Sequence, residues 1–128
     1  GIARFVHEGE VKTRNVSRRV SRCRPVDVTC RAHFMLTENV PYAIADRIRC
    51  QQDGMSDAVL RNDDMFLSLG VQLATGFSSY LTRRTKKKDR INSKDLAAPF
   101  AVGSNEDHYS SRAELVRWYM RQGWDVIR

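Results

Sequence analysis

The most apolar stretch of the chain runs from Met65 to Leu81 and contains no charged residue. Acidic residues precede it and basic residues follow it, which suits the two ends of a helix dipole. Ser56 can cap a turn that leads into this run. The pattern therefore predicts a helix over 56–82 that is buried on nearly all sides. Its polar residues form one narrow stripe at helical spacing: Ser68, Gln72, Thr75, Ser79 and Thr82.

Either protein or lipid could bury such a helix. A run of this length lies at the short limit of what crosses a bilayer, about 17–25 residues. The basic sequence TRRTKKKDR that follows it is typical of a cytoplasmic or matrix flank. The serine, threonine and glutamine side chains within the run instead favour a protein environment. Membrane contact through Met65–Leu81 is therefore kept as the alternative.

A second periodicity, of two residues, appears between Val26 and Leu36. Apolar and polar residues alternate there, as they do in a strand with one buried face. The pattern predicts a strand over 26–36. Its partner within the chain would be the segment Phe5–Val11 folded back as an antiparallel neighbour, or the end at Trp124–Ile127. Addition to the sheet of another chain is a further possibility.

Two shorter amphipathic helices are also predicted. The first covers 41–52, with Pro41 in its first turn. Its apolar face is formed by Ile44, Ala45 and Ile48.

The second of these helices covers 111–122. Ser111 and Glu114 match a capping box at its start. Gly123 fits the left-handed stop position at its end.

These elements predict a mostly α fold with one short strand or hairpin. Residues 1–25 are expected to form an extended basic arm, and residues 26–128 a single small α-rich domain. The segment 91–105 contains turn signals and is expected to be a linker lying on a surface, anchored by Leu96 and Phe100. A chain of 128 residues is long enough for one domain with a modest core.

The charge of the chain carries information about its partner. The net charge is +7 and the pI is about 9.8. Strong basicity points to a polyanionic partner, either nucleic acid or an anionic membrane surface. The basic residues cluster in two blocks, and Lys and Arg laid on phosphates gain affinity by releasing counterions. We expect the following residues to bind nucleic-acid phosphates: Lys12, Arg14, Arg18, Arg19, Arg22, Arg24, Arg83, Arg84, Lys86, Lys87, Lys88 and Arg90.

Three cysteines cannot all pair within one chain, which favours a reducing compartment, cytoplasmic or mitochondrial. Cys23, Cys30, His33 and Cys50 have the side-chain types that bind zinc. Their spacings do not match a zinc knuckle, and on a strand Cys30 and His33 would lie on opposite faces. No metal site is therefore predicted.

Candidate catalytic chemistry is limited to the cluster Glu106-Asp107-His108. No nucleophile or second base is placed to join it, and acidic residues before a helix are ordinary. There is also no glycine loop of the kind that holds phosphates. We expect no enzymatic activity and no cofactor.

Aromatic residues near the C-terminus offer a second kind of nucleic-acid contact. Trp118, Tyr119 and Trp124 could stack on bases. Aromatic residues at helical spacing more often form a core or a protein interface, and that interpretation is favoured.

The leading hypothesis is a structural subunit of a large RNA–protein assembly, of the ribosomal or mitochondrial-ribosomal type. RNA phosphates and neighbouring protein subunits would be its partners. A viral nucleocapsid subunit would share the same physics. The alternative is an accessory subunit of a membrane complex, such as a respiratory complex or ATP synthase, with 65–82 in the bilayer. A small enzyme is the weakest reading.

Overall fold

The computed structural model describes residues 2–7, 10–14, 24–30, 35–81 and 107–126 of the chain. Helices dominate this part, which confirms the predicted small α-rich domain. A 3₁₀ turn at Thr37–Asn39 precedes the first helix, and a π-helical segment at Phe66–Gly70 joins the third helix to the fourth. The remaining elements are β1 (Ile2–His7), β2 (Glu10–Arg14), β3 (Arg24–Val26), β4 (Val28–Cys30), α1 (Val40–Gln52), α2 (Asp57–Leu60), α3 (Asp63–Met65), α4 (Val71–Thr75), β5 (Ser79–Leu81) and α5 (His108–Arg121).

The predicted strand over 26–36 is divided between two sheets, so its prediction as one element was wrong. β3 ends at Val26 and pairs with β5, whereas β4 begins at Val28 and pairs with β1. The division falls at Asp27, which is buried at a bend and whose carbonyl accepts a hydrogen bond from Gln72. The bend at Asp27 interrupts the alternation of buried and exposed residues that a single strand would have. Residues 31–34 lie outside the described residues.

The segment predicted as a basic arm contributes two strands to the fold. β1 and β2 form an antiparallel hairpin, with Val6 opposite Val11. On its other side β1 pairs antiparallel with β4, with Ile2 opposite Cys30. The partner of β4 is therefore an earlier segment of this same chain folded back, one of the arrangements considered from the sequence, but the paired residues are 2–4 and not the predicted Phe5–Val11.

Helix α1 follows its predicted bounds closely but presents a different face. The prediction placed Ile44, Ala45 and Ile48 on the buried side, and this was wrong, because all three are exposed. Ala43 and Cys50 are buried instead. The reason is close packing: α1 lies against the π-helical segment, and small side chains allow the two backbones to approach.

The predicted helix over 56–82 is interrupted, so its prediction as one continuous element was also wrong. α2 ends at Leu60, and Asn62 adopts a non-helical conformation with φ −86° and ψ 59°. The Asn62 side-chain amide donates to the carbonyls of Ala58 and Val59, at 2.9 and 3.1 Å. These bonds satisfy carbonyls at the end of a helix that stops there.

The helical run then ends at Thr75, several residues before its predicted end. Gly76 has φ 73°, and its N–H donates to the carbonyl of Gln72 at 2.9 Å. A glycine in this left-handed conformation is a common helix stop. Residues 79–81 form a strand instead of further helix. Within the described residues, no helix has the length and apolar character needed to cross a membrane.

Helix α5 begins one turn earlier than predicted. Asp107 precedes it, and Ser111 lies inside the helix, so the predicted capping box was wrong. The Ser111 hydroxyl donates to the carbonyl of His108 and accepts from the Asn62 amide, at 3.1 and 3.3 Å. The extra turn packs against the α2–α3 region through these contacts. The predicted stop is confirmed by Gly123, whose φ is 97°.

The core is formed mainly by buried residues of α1, the π-helical segment and α5, and it includes Trp124. Gln72 binds three parts of the chain there. Its Nε2 donates to the carbonyl of Asp27 and to the hydroxyl of Ser79, both at 2.8 Å. Its Oε1 accepts from the Trp124 indole at 3.0 Å.

Gly70→Ala tests the close packing of α1. A Cβ at this position would lie 2.8 Å from Asp46 Oδ2 and 3.1 Å from the Tyr119 hydroxyl. We expect the substitution to lower the free energy of unfolding by about 1–3 kcal/mol in urea titrations, because the site is overpacked. Ala74→Gly, at an exposed position of α4, measures the ordinary glycine–alanine difference of about 1 kcal/mol in favour of alanine. Equal or higher stability of Gly70→Ala would contradict the close approach.

Gln72→Met tests the three-way contact of the Gln72 amide. The methionine fills a similar volume but leaves the buried Trp124 indole N–H without its acceptor. Since an unsatisfied buried polar group costs about 1–3 kcal/mol, we expect a loss of about 2–4 kcal/mol in urea unfolding followed by circular dichroism. In a Trp124→Phe background the same substitution should cost less. Identical costs in the two backgrounds would show that the indole contact contributes nothing.

Candidate nucleic-acid interface

The positive charge of the chain is concentrated in two blocks, 12–24 and 83–90. They hold 12 of the 22 basic residues and one of the 15 acidic residues, and therefore carry +11. The rest of the chain, with ten basic and fourteen acidic residues, carries −4. The blocks thus account for more than the whole net charge of +7. A polyanion would be attracted to these blocks and not to the helical body.

Three of the twelve predicted phosphate-binding residues lie on described strands. Lys12 and Arg14 are on β2, opposite Phe5 and Ala3 of β1. Arg24 is the first residue of β3. The other nine lie outside the described residues: Arg18, Arg19, Arg22, Arg83, Arg84, Lys86, Lys87, Lys88 and Arg90.

The pairing of β3 with β5 puts Arg24, the last residue of the first block, opposite Leu81, which comes shortly before the second block in sequence. Because β3 and β5 are antiparallel, the chain that precedes Arg24 and the chain that follows Leu81 join the sheet at the same end. The second block starts two residues after Leu81, at Arg83. Consecutive Cα atoms are about 3.8 Å apart, so the link between the block and the sheet is short.

Two exposed aromatic side chains lie near β5: Tyr80 is next to Leu81, and Phe77 precedes the other end of the strand by two residues. Phe77 is 75% exposed and Tyr80 is 58% exposed. Both residues were predicted to lie inside a buried helix, and neither was predicted to bind nucleic acid. Gly76 was the available signal, because a glycine near the end of a helical pattern can stop the helix and place the next residues outside it.

The aromatic residues that the sequence offered for base stacking are in the core instead. Trp118, Tyr119 and Trp124 are 3%, 0% and 5% exposed. The Trp118 indole donates to Asp53 at 2.8 Å, and the Trp124 indole to Gln72 at 3.0 Å. Stacking on bases by these three was a wrong candidate, and the favoured interpretation as core residues is confirmed.

The candidate zinc ligands do not come together in the described part of the chain. Cys50 is a free thiol buried in the core, and Cys30 lies on β4. Cys23 and His33 fall outside the described residues. Within those residues there is no group of three or more histidine, cysteine or acidic side chains that could hold a metal ion.

Of the carboxylate–imidazole cluster at the start of α5, His108 takes part in the packing of that helix. Glu106 lies outside the described residues, and Asp107 is exposed. His108 is buried, with its Nε2 3.3 Å from Nη1 of Arg112. Arg112 is itself buried and forms an ion pair with Asp64. These contacts hold α5 against α3.

A second buried polar group lies between α1 and α5. Burial, and then the carboxylates of Asp46 and Asp53, raise the pKa of the Cys50 thiol from 9.0 to about 12. Burial and the neighbouring Asp46 also raise the pKa of the Tyr119 hydroxyl. A thiol with a raised pKa is a poor nucleophile at neutral pH. Cys50 therefore has the properties of a buried core residue and not those of a nucleophile.

The raised pKa of Cys50 makes stability depend on alkaline pH. The unfolded chain loses this proton near pH 9 and the folded chain near pH 12, so stability is full below pH 9 and falls as pH rises between these values. In a Cys23→Ser/Cys30→Ser background, we expect urea unfolding to show a decline of about 1.4 kcal/mol between about pH 8 and pH 10. Adding Cys50→Ala should remove that part of the decline. An equal slope with and without Cys50 would contradict its protonated burial.

Comparisons with known proteins assign no family to the chain. No protein-family model, curated protein or solved structure matches it. Any function given to the chain therefore rests on its own charge distribution, exposed side chains and geometry.

Proposed function

We propose that this chain is a non-enzymatic structural subunit of a large RNA–protein assembly, of the ribosomal or mitochondrial-ribosomal type. It binds RNA phosphates through the blocks 12–24 and 83–90. The observation that supports the proposal is the pairing of Arg24, the end of one basic block, with Leu81, which precedes the start of the other block by two residues in sequence.

Electrostatic range explains why this pairing matters. At physiological ionic strength the screening length is about 8 Å, so widely separated charges attract a polyanion independently. Arg24, the last residue of the first block, is the register partner of Leu81, and the second block follows Leu81 after one intervening residue, so we infer that the two blocks attract one polyanion together. The summed charge of +11 then acts on one stretch of phosphates. The net negative charge of the rest of the chain limits where RNA can lie.

Contact with neighbouring proteins is supported by the exposed face of α1. Ile44 and Ile48 are 54% and 48% exposed and lie one turn apart. Apolar side chains grouped on a surface are typical of protein contacts. Phosphate binding at one site and apolar contact at another is the division expected of a subunit that joins RNA to protein.

Salt-dependent RNA binding tests the proposal. We expect the logarithm of the affinity to fall linearly with the logarithm of salt concentration, with a slope of about 0.7–0.9 for each phosphate neutralised. The variants R18Q/R19Q/R22Q and K86Q/K87Q/K88Q should each reduce that slope by about 2–3, since each removed cation contributes about one contact. Fluorescence anisotropy of labelled RNA across a salt series measures it.

The matched control is R61Q/R117Q/R121Q, which removes the same charge from exposed positions of the helical body. It should leave the slope nearly unchanged. If the control weakens binding as much as the block variants do, net charge and not the blocks governs binding. Binding to anionic vesicles without any binding to RNA would replace this proposal with the membrane-complex alternative.

A further inference from the structure

We propose that the RNA bound by this chain is single-stranded, and that Phe77 and Tyr80 stack on its bases. This inference rests on the proposed function and adds the substrate class and the residues that contact bases. It concerns the aromatic surface, defined as Pro25, Phe77 and Tyr80.

The exposure of Phe77 has no explanation in the packing of the domain. In a helix stop of this kind the residue after the left-handed glycine often packs back on the helix. Phe77 follows Gly76 but is 75% exposed, the highest value among the large hydrophobic side chains of the described residues. A phenyl ring left in water costs hydrophobic free energy that a partner would recover.

Tyr80 lies on the outer side of the two-stranded sheet. It is the register partner of Pro25, and both residues are exposed. The next pair in the register, Val26 and Ser79, is turned toward the body, since Val26 is fully buried. Register partners in an antiparallel pair share a face. The outer face therefore carries a tyrosine ring beside a proline ring.

The backbone that carries both aromatic residues is fixed. The N–H of Phe77 donates to the Thr75 hydroxyl at 3.2 Å, and the Ser79 hydroxyl accepts from buried Gln72 at 2.8 Å. Tyr80 is held by its pairing in β5. The two rings thus project from a braced segment, so that less entropy is lost when they are fixed on a partner.

Charge identifies the partner. Pro25 and Tyr80 are the register pair next to Arg24 and Leu81, and Phe77 comes two residues before β5; in sequence Arg24 ends one block and Leu81 precedes the other, and the two blocks carry +11. Aromatic rings beside a basic groove are how single-stranded nucleic acids are bound without sequence preference, because every base has a face that can stack. Duplex RNA buries those faces and is recognised mainly through phosphates and 2′-hydroxyls.

A lipid surface fits the same residues less well. Helices that lie on membranes present a continuous apolar face to the acyl region. Phe77 and Tyr80 are separated by Ser78 and Ser79, which are polar and half-buried. Two separate rings with polar residues between them suit individual bases better than a continuous hydrocarbon layer.

The test compares the full chain with Phe77→Ala and Tyr80→Ala. The probes are fluorescein-labelled oligouridylate, an RNA duplex with the same number of phosphates, and vesicles of phosphatidylserine and phosphatidylcholine. We expect each alanine variant to bind oligouridylate roughly tenfold more weakly, as measured for stacked bases elsewhere. Duplex binding and the salt slope should stay unchanged.

Two sets of controls make the result specific. Phe77→Tyr and Tyr80→Phe keep a ring and should keep the affinity, and they also guard against loss of folding. Tyr109→Ala removes a 64% exposed aromatic residue from α5 and should have no effect.

Each outcome has one meaning. Salt-dependent binding of oligouridylate that is equal in wild type and both alanine variants would overturn the stacking inference and leave the proposed function standing. No salt-dependent binding of either RNA would overturn the proposed function and the inference together. Weakened vesicle binding with unchanged RNA binding would assign the aromatic surface to a membrane and overturn the inference.

Discussion

The buried amide of Gln72 is the contact on which the arrangement of the described chain depends. It joins the bend at Asp27, the strand residue Ser79 and the indole of Trp124, three segments far apart in sequence. Each bond is made away from water, where leaving a polar group unpaired is costly. The position of β5, and with it the exposed rings of Phe77 and Tyr80, follows from this contact. A side chain in the core therefore fixes a feature of the surface.

Local signals in the sequence predicted the elements that local physics determines. Pro41 marked the start of α1, and Gly123 marked the end of α5. The helix over 56–82 and the strand over 26–36 were wrongly predicted as continuous for a common reason. In each, a buried residue forms a hydrogen bond with a residue far away in the chain. Asn62 broke the central helix and reached Ser111, and Asp27 divided a strand to meet Gln72. Periodicity of apolar residues carries no information about such pairs, so neither break could be predicted.

The candidate interface could also be predicted only in part from the sequence. Charge is additive along the chain, so the two basic blocks could be identified by counting residues. Which aromatic rings face water depends on packing. Trp118 and Trp124 are buried, as the favoured interpretation had it, whereas Phe77 and Tyr80 were expected in a buried helix and are exposed. An uncharged run predicts burial as a whole. It cannot show that a glycine within it ends the helix and sends the last residues outward.

The late position of α5 in the chain has a consequence for biosynthesis. The hydrogen bonds that join this helix and Trp124 with Asp53, Asn62, Asp64 and Gln72 connect residues between 48 and 65 positions apart. At about 5–20 residues per second, a ribosome needs several seconds to add that much chain. During that interval the core residues from Met65 to Leu69 have no α5 to cover them. The nascent protein passes through a stage in which its apolar centre is open to chaperones, and the synthesis of α5 ends that stage.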